Sequence, residues 1–398
     1  MTLDLAKVAA RIQAMADWVG GEETARAVRL ELALQTLDRA AADVTPLRQR
    51  IDAAVYAGPP TWLAADLPDD SGAVFDTPTL PTDYAALATD GSHIETDRNR
   101  PVACHLINIG VVHLRYGRQP RAHLDSAPTI YFGHETDDED ERHGEGLHLQ
   151  TRRAVAEAQA TVDFLTAHPP SDTPTVALLD GSLILWHLAG RRLPVAFRDA
   201  MLDRGLLAAL DALEAMSPPI AVAAYISQPQ ATAIVNALRL ALCPDDSPNC
   251  GARCATLRFP DRPCDGVGGL FDRDIFWERL AIGQRSAVFG SRAPVMEHYR
   301  QHRVGFFYLR LENEISRVEV PAWVARDQRR LDLVHAVVLD QCRLGFGYPV
   351  ALAEAHEQAV VSGADRDHFW DLVERALRRD GIAAAPSAKS RSKQTRWL

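Results

Sequence analysis

Two Asp-Gly-Ser tripeptides bring together the residue types most suited to joint chemistry. Asp180-Gly181-Ser182 follows the apolar run Val176-Ala177-Leu178-Leu179, and Asp90-Gly91-Ser92 follows Tyr84-Ala85-Ala86-Leu87-Ala88-Thr89. A continuous apolar run reads as a buried strand, and open α/β sheets bind ligands beyond the carboxyl ends of such strands. Two turns of this kind, each closing a run, deliver two carboxylates to one sheet edge if their strands are neighbours. Paired carboxylates raise each other's pKa unless a cation sits between them, and hard oxygen ligands suit Mg²⁺ or Mn²⁺. Asp-Gly is also an ordinary turn dipeptide, so the pairing marks these two, not either tripeptide alone.

The elements around them follow a pattern. Val102–Tyr116 is β-rich and Pro128–Phe132 adds a short strand, so with the strand ending at Asp90 a three-stranded meander is expected. Gly146–Ala167 reads as a helix striped by Val155, Ala158, Val162 and Leu165, with Glu157 at the stripe's border, free to reach inward or to lie on the surface. The strand to Asp180 follows, then a helix over Ala196–Met216, a strand over Ile220–Ile226 and a helix over Ala231–Leu242. Three strands, helix, strand, helix, strand predicts an α/β fold with an RNase H-like core, a mixed sheet flanked by helices. Cores of that kind place acidic residues on the first strand, first helix and fourth strand to hold divalent ions for phosphodiester cleavage.

Around this core, Leu5, Val8, Ile12, Met15, Val19, Leu30, Leu34 and Leu37 recur at helical spacing, interrupted near Gly20-Gly21. An N-terminal helical arm over 1–62 is expected, packed on the chain's own core or forming a dimer interface, with Gly58-Pro59-Pro60 leading out of it. Residues 63–382 read as one nuclease-type domain carrying a Cys-rich insertion at about 243–270, and 383–398 as a basic disordered tail with Lys389, Arg391, Lys393 and Arg396. Residues 285–320 look strand-like, and Val324–Leu344 helical. A further helix starts at Pro349, within which His356 falls two turns after Tyr348, so both can face one side. The acidic run Glu135–His143 reads as a solvated loop.

A net charge of −10 argues against coating nucleic acid with a uniformly basic surface. It leaves room for a nuclease with a local basic groove, for which Arg152, Arg153, Arg191, Arg192, Arg329 and Arg330 are candidates. With 47% hydrophobic and 24% charged residues, no long apolar run and no signal-peptide pattern at Met1-Thr2-Leu3-Asp4, a soluble, cytoplasmic protein without membrane contact is expected. Cys104 and Cys342 stand alone, whereas Cys243, Cys250, Cys254 and Cys264 are spaced C-x6-C-x3-C-x9-C. Four thiolates in a turn-rich loop are able to hold structural Zn²⁺ or an iron–sulfur cluster, or they remain reduced thiols.

On these landmarks the chain resembles the NurA nuclease family. The similarity rests on Asp90-Gly91-Ser92, the helix bearing Glu157, Leu178-Leu179-Asp180-Gly181-Ser182, Tyr225-Ile226-Ser227-Gln228-Pro229 leading into Val235-Asn236-Ala237-Leu238, and Gly347-Tyr348-Pro349 followed by His356, over roughly residues 85–362. The resemblance implies a Mn²⁺-dependent homodimeric DNA nuclease with an RNase H-like fold. Such enzymes degrade DNA 5′ to 3′, cut single strands, and process broken ends with a hexameric HerA-type ATPase. Carried over, Asp90, Glu157 and Asp180 would be metal ligands, His356 a further ligand or proton-handling group, and Tyr348 a positioner of metal or phosphate, with Glu145 the fallback for Glu157. Competing readings are a non-catalytic partner of a HerA-like ATPase and an RNase H-like enzyme acting on RNA.

Overall fold

In a computed structural model of the chain, residues 4–57, 62–96, 100, 102–133, 145–170, 172–189 and 195–382 are described. The acidic run at 135–143, Arg191 and Arg192, the Gly58-Pro59-Pro60 connector and the tail at 383–398 lie outside the described residues.

The first half comprises α1 (Leu5–Ala42), α2 (Thr45–Ala57), β1 (Val74–Phe75), β2 (Tyr84–Ile94), β3 (Cys104–Tyr116), β4 (Arg121–Phe132), α3 (Glu145–Ala167) and β5 (Thr175–Asp180). Next come α4 (Val195–Arg198), α5 (Ala208–Glu214), β6 (Ala221–Ile226), α6 (Ala233–Ala241), α7 (Cys250–Arg253) and α8 (Asp272–Arg279). The chain continues with β7 (Arg285–Ser286), β8 (Phe289–Gly290), β9 (Val304–Arg310), β10 (Ile315–Pro321), α9 (Ala322–Ala325), α10 (Gln328–Leu344), α11 (Val350–Ala359) and α12 (Gly363–Arg379). Met1–Thr77, Ile226–Met296 and Arg303–Glu319 form one compact unit; Pro78–Tyr225, Glu297–His302 and Val320–Leu398 form another.

The second unit contains a mixed sheet in the order β4-β3-β2-β5-β6. β2, β3 and β4 are the antiparallel meander, while β5 runs parallel to both β2 and β6. This is the sheet of an RNase H-like core, and its sequence cause is plain. Val176, Ala177 and Leu178 on β5 and Ala86, Leu87 and Ala88 on β2 are at most 1% exposed, because central strands are covered on both faces. β4 is exposed along nearly its whole length, and the edge position lets it accommodate Pro128. Helix α3 packs on β2, and α11 packs on β2 and β3. Gly110 permits the second contact: a Cβ there would lie 2.1 Å from the Ala355 carbonyl oxygen of α11.

Two sequence expectations for this unit need correction, and a third gains a detail. Asp90-Gly91-Ser92 is not a turn, because β2 continues to Ile94 with Gly91 paired to Ile109. The helix expected over Ala196–Met216 is present without a break as α4 and α5, but it widens to π-helical geometry over Asp199–Leu207 between them. The helix expected from Val324 is divided into α9 and α10, since the Asp327 carboxylate caps a new start by accepting the Arg329 and Arg330 amides.

In the first unit β1, β7, β9 and β10 form a sheet, with β8 paired to β9. The strand-like reading of 285–320 captured β9 and β10 but not the 3₁₀ turn at Pro294–His298 between them and β8. Phe276, Phe289, Phe306 and Tyr308 build the centre of its core, with Phe276 and Tyr308 stacked at 4.6 Å. Helix α1 runs uninterrupted through Gly20 and Gly21. Both glycines meet nothing within 4 Å, so the helix tolerates their cost of about 1 kcal/mol each through its neighbours' propensity. Ala33 and Leu37 anchor its second half, whereas Leu5, Ile12, Met15 and Val19 remain at least half exposed.

Candidate active site

The register of the sheet in the second unit sets two aspartates level. Thr89 on β2 pairs with Leu179 on β5, and the next residue on each parallel strand is Asp90 and Asp180. Asp90 faces Gly110 across the antiparallel ladder, on the side of the sheet where α11 lies against that glycine. Asp180 ends its strand where Gly181, at φ +87°, turns the chain away.

Each aspartate has a partner from around α11. His356 Nδ1 lies 2.7 Å from Asp90 Oδ2, and the Asp90 carboxylate also accepts the Gly91 amide at 2.7 Å. The Tyr348 hydroxyl donates to Asp180 Oδ1 at 2.8 Å. Tyr348 precedes the helix instead of lying within it, and Pro349 sits at the cap, so the two side chains converge through a loop and a helix and not along one helical face. The edge of the Tyr348 ring meets buried Tyr225 at 5.4 Å, which fixes the phenol's direction.

Glu157 arrives from α3. Its backbone carbonyl accepts the Thr89 hydroxyl at 3.1 Å, joining the helix to β2 beside Asp90. The side chain is 5% exposed, and Oε1 is buried without a hydrogen bond, although Arg153 Nε stands 3.3 Å away. Gly91 makes this approach possible. A Cβ at position 91 would lie 2.7 Å from Glu157 Oε1 and 2.8 Å from Arg153 Cγ. The missing side chain in an otherwise regular strand is the opening that the Glu157 carboxylate occupies.

The electrostatics follow from this crowding. Burial pushes the Glu157 carboxyl well above its usual range; Arg153 pulls it down, and the charges of Asp90 and Asp180 push it up again. Asp180 is raised chiefly because its surroundings desolvate it, against the Tyr348 hydrogen bond and with the charge of Asp90 adding to the rise. Tyr348 is itself raised by burial and by Asp180, so it keeps its proton and acts as a donor. Three mutually repelling carboxylates, one with an orphaned buried oxygen, fit a divalent cation. The imidazole of His356, 62% exposed, adds a nitrogen donor at the rim.

Asp90, Glu157, Asp180, Tyr348 and His356 therefore gather where the carboxyl end of β5 lies beside Asp90 in β2. The side chain of Glu145, at the start of α3, is outside the described residues. Cys243, Cys250, Cys254 and Cys264 belong to the first unit. The sequence places Gly91 in a turn and Arg153 in a candidate basic groove, and neither beside Glu157; the Asp-Gly doublet is the available signal for the first. Sequence reading also passed over Asp211, Glu214 and His302, whose ligand atoms lie within 4.8 Å of one another. There His302, fully buried, is held by Asp211 at 2.8 Å between α5 and a 3₁₀ turn.

Among the described residues, no helix is long and apolar enough to cross a membrane. No curated protein matches the chain. Its fold is similar to that of a crystal structure of the NurA nuclease from Sulfolobus solfataricus, at 15% identity, 77% coverage of this chain, 88% of that one and a TM-score of 0.47. A crystal structure of NurA with manganese matches at 10% identity, covering 86% and 98% of the two chains with a TM-score of 0.37. The sequence model of the NurA domain matches residues 84–361, a span that runs from the first residue of β2 past the end of α11 and includes all five gathered side chains. The chain belongs to the NurA nuclease family.

Proposed function

We propose that the chain is a Mn²⁺-dependent DNA nuclease in which Asp90, Glu157 and Asp180 hold the metal. The observation that carries this reading is the convergence of three carboxylates, from adjoining positions on β2 and β5 and from α3, of which burial and the neighbouring charges raise Glu157 and Asp180, with Glu157 Oε1 lacking a hydrogen bond. A cation relieves both the repulsion and the orphaned oxygen. A donor set of carboxylates with an imidazole in reach favours Mn²⁺, with Mg²⁺ the alternative, because imidazole is a poorer ligand for the harder ion. When bound, the ion supplies a nucleophilic water near neutral pH and charge stabilisation at the scissile phosphate.

The chain's own residues do the rest. Tyr348 fixes the rotamer of Asp180 through the 2.8 Å hydrogen bond, and His356 fixes Asp90 through Nδ1. An imidazole that spends its Nδ1 proton on a carboxylate presents Nε2 as an acceptor, so His356 is the group to take up a proton or to join the ligands. Arg153 offsets part of the negative charge behind Glu157.

The wider reading is a 5′–3′ exonuclease and single-strand endonuclease that works in the cytoplasm as a homodimer, processing DNA ends with a HerA-type hexameric ATPase. The exposed apolar residues Leu5, Ile12, Met15 and Val19 on α1 support an association with a second copy. End-labelled single- and double-stranded DNA, incubated with Mn²⁺, Mg²⁺ or EDTA and with or without the ATPase, tests the activity. Wild type is expected to cut with Mn²⁺ and Asp180→Ala to fall by at least about 10²-fold while remaining folded. Equal cleavage by the folded variant overturns the site, and products shortened from the 3′ end overturn the polarity.

A further inference from the structure

The largest concentration of chemistry-bearing side chains that the nuclease site does not use lies in the first unit. Cys243, Cys250, Cys254 and Cys264, separated by loops in sequence, all line one cavity of about 420 Å³. Cys243 follows the end of α6, Cys250 opens α7, Cys254 caps it, and Cys264 precedes a 3₁₀ turn at Asp265–Val267. All four are free thiols. Apolar packing accounts for only part of their convergence: Cys250 packs at the edge of the first unit's core and Cys264 is 8% exposed, but Cys243 and Cys254 are half-buried and α7 contributes no buried residue.

The cavity's charge points to an anionic occupant. Arg239, Arg253, Arg258 and Arg262 line it with one carboxylate, Asp245; Arg253 pairs with Asp245 and Arg239 with the buried Asp265 at 2.6 Å, so Arg258 and Arg262 carry the excess positive charge. Arg239 is 8% exposed, its Nη2 approaches Cys264 Sγ at 3.6 Å, and its Nε is buried without a hydrogen bond. A metal centre carried by four thiolates is net negative, and guanidinium hydrogen bonds to ligand sulfurs are a recurrent means of stabilising it.

The separation of the thiols favours a cluster over a single ion. Zinc–sulfur bonds of about 2.3 Å in a tetrahedron require sulfurs roughly 3.8 Å apart. Among the described residues, the ligand groups whose atoms lie within 4.8 Å of one another do not include three of these thiols. Four thiols spread around the wall of one cavity suit a polynuclear occupant that fills the space between them.

We propose that Cys243, Cys250, Cys254 and Cys264 ligate a [4Fe–4S] cluster in this cavity. The cluster ties the end of α6 to the turn-rich chain through Cys264 and supplies the order that this stretch does not obtain from a hydrophobic core. Loading releases the thiol protons, so it is favoured by rising pH.

The full-length chain, purified anaerobically and reconstituted with ferrous iron and sulfide, is expected to carry about four irons and four acid-labile sulfides. It should also show a broad visible absorption that bleaches on reduction with dithionite. Cys250→Ser and Cys264→Ser should lose iron and colour, while Cys104→Ser and Cys342→Ser, outside the cavity, should keep both. If Cys264→Ser does not fold, Cys254→Ser, at a half-buried position, gives the same readout. One zinc per chain with the four thiols protected from alkylation overturns the proposal, as does wild-type protein that takes up no iron with all four thiols reactive.

Discussion

Gly91→Ala tests the architecture of the nuclease site without touching a charged group. The added methyl would sit 2.7 Å from Glu157 Oε1, 2.8 Å from Arg153 Cγ and 3.0 Å from Ile109 Cδ1, where ordinary contact begins at 3.4 Å. The Glu157 carboxylate must therefore retreat by about 0.7 Å, because the neighbouring strand residue Ile109 blocks the other direction. A displacement approaching 1 Å in a catalytic constellation costs about 10²-fold in rate. Stability changes less. Replacing glycine in an extended strand stabilises by about 0.4–1 kcal/mol through the unfolded chain, and overpacking costs about 1–3 kcal/mol. The net loss is at most about 2.6 kcal/mol, so the variant folds. Initial rates of Mn²⁺-supported cleavage of single-stranded DNA, measured over a Mn²⁺ titration, should show a fall of about 10²-fold in kcat and weaker activation by the metal. A folded Gly91→Ala protein with the wild-type rate and the wild-type Mn²⁺ dependence would refute the claim that position 91 is empty so that Glu157 can reach the metal.

Two further outcomes follow from the pKa directions. In Tyr348→Phe the Asp180 carboxylate loses the hydrogen bond that pulls its proton affinity down, so the acidic limb of the pH–rate profile should move to higher pH; an unmoved limb would show that Tyr348 acts otherwise. In the first unit, burial pushes Asp272 up to about 6, against hydrogen bonds from the Val235 amide, the Tyr308 hydroxyl and the Ile234 amide. Between its ordinary value of 3.8 and about 6 the folded chain holds a proton that the unfolded chain has released, so this group's contribution declines as pH rises through that window, by on the order of 3 kcal/mol. Asp272→Asn keeps an acceptor for the two amides at the start of α6 and should flatten that decline; urea midpoints with the same pH slope in both proteins would contradict it.

What the sequence made legible divides along physical lines. Strand order in the second unit was readable because central strands must be apolar throughout, as at Val176–Leu179, and because helix and strand periods differ. Asp180 was readable for the same reason, since a carboxylate directly after four buried residues has few places to be. Glu157 was harder: helical spacing placed it at the edge of a stripe, but only a partner surface decides between burial and solvent. That partner proved to be a glycine in another element, 66 positions earlier. Gly91 itself was misread as a turn because Asp-Gly predicts one from local preference, whereas the ladder with Ile109 holds the residue extended. The pairing of Tyr348 with Asp180 spans 168 residues and that of His356 with Asp90 spans 266, separations over which no sequence period carries information. Local chemistry thus announced the carboxylates, and tertiary contact supplied the groups that tune them. The cysteine loop falls between these cases. Its spacing named the ligand type, but only the shared cavity with Arg239 gave the four thiols a common object. A site whose ligands are sequence-local and whose counter-charges are not should lose metal on cysteine substitution and change its reduction potential on arginine substitution.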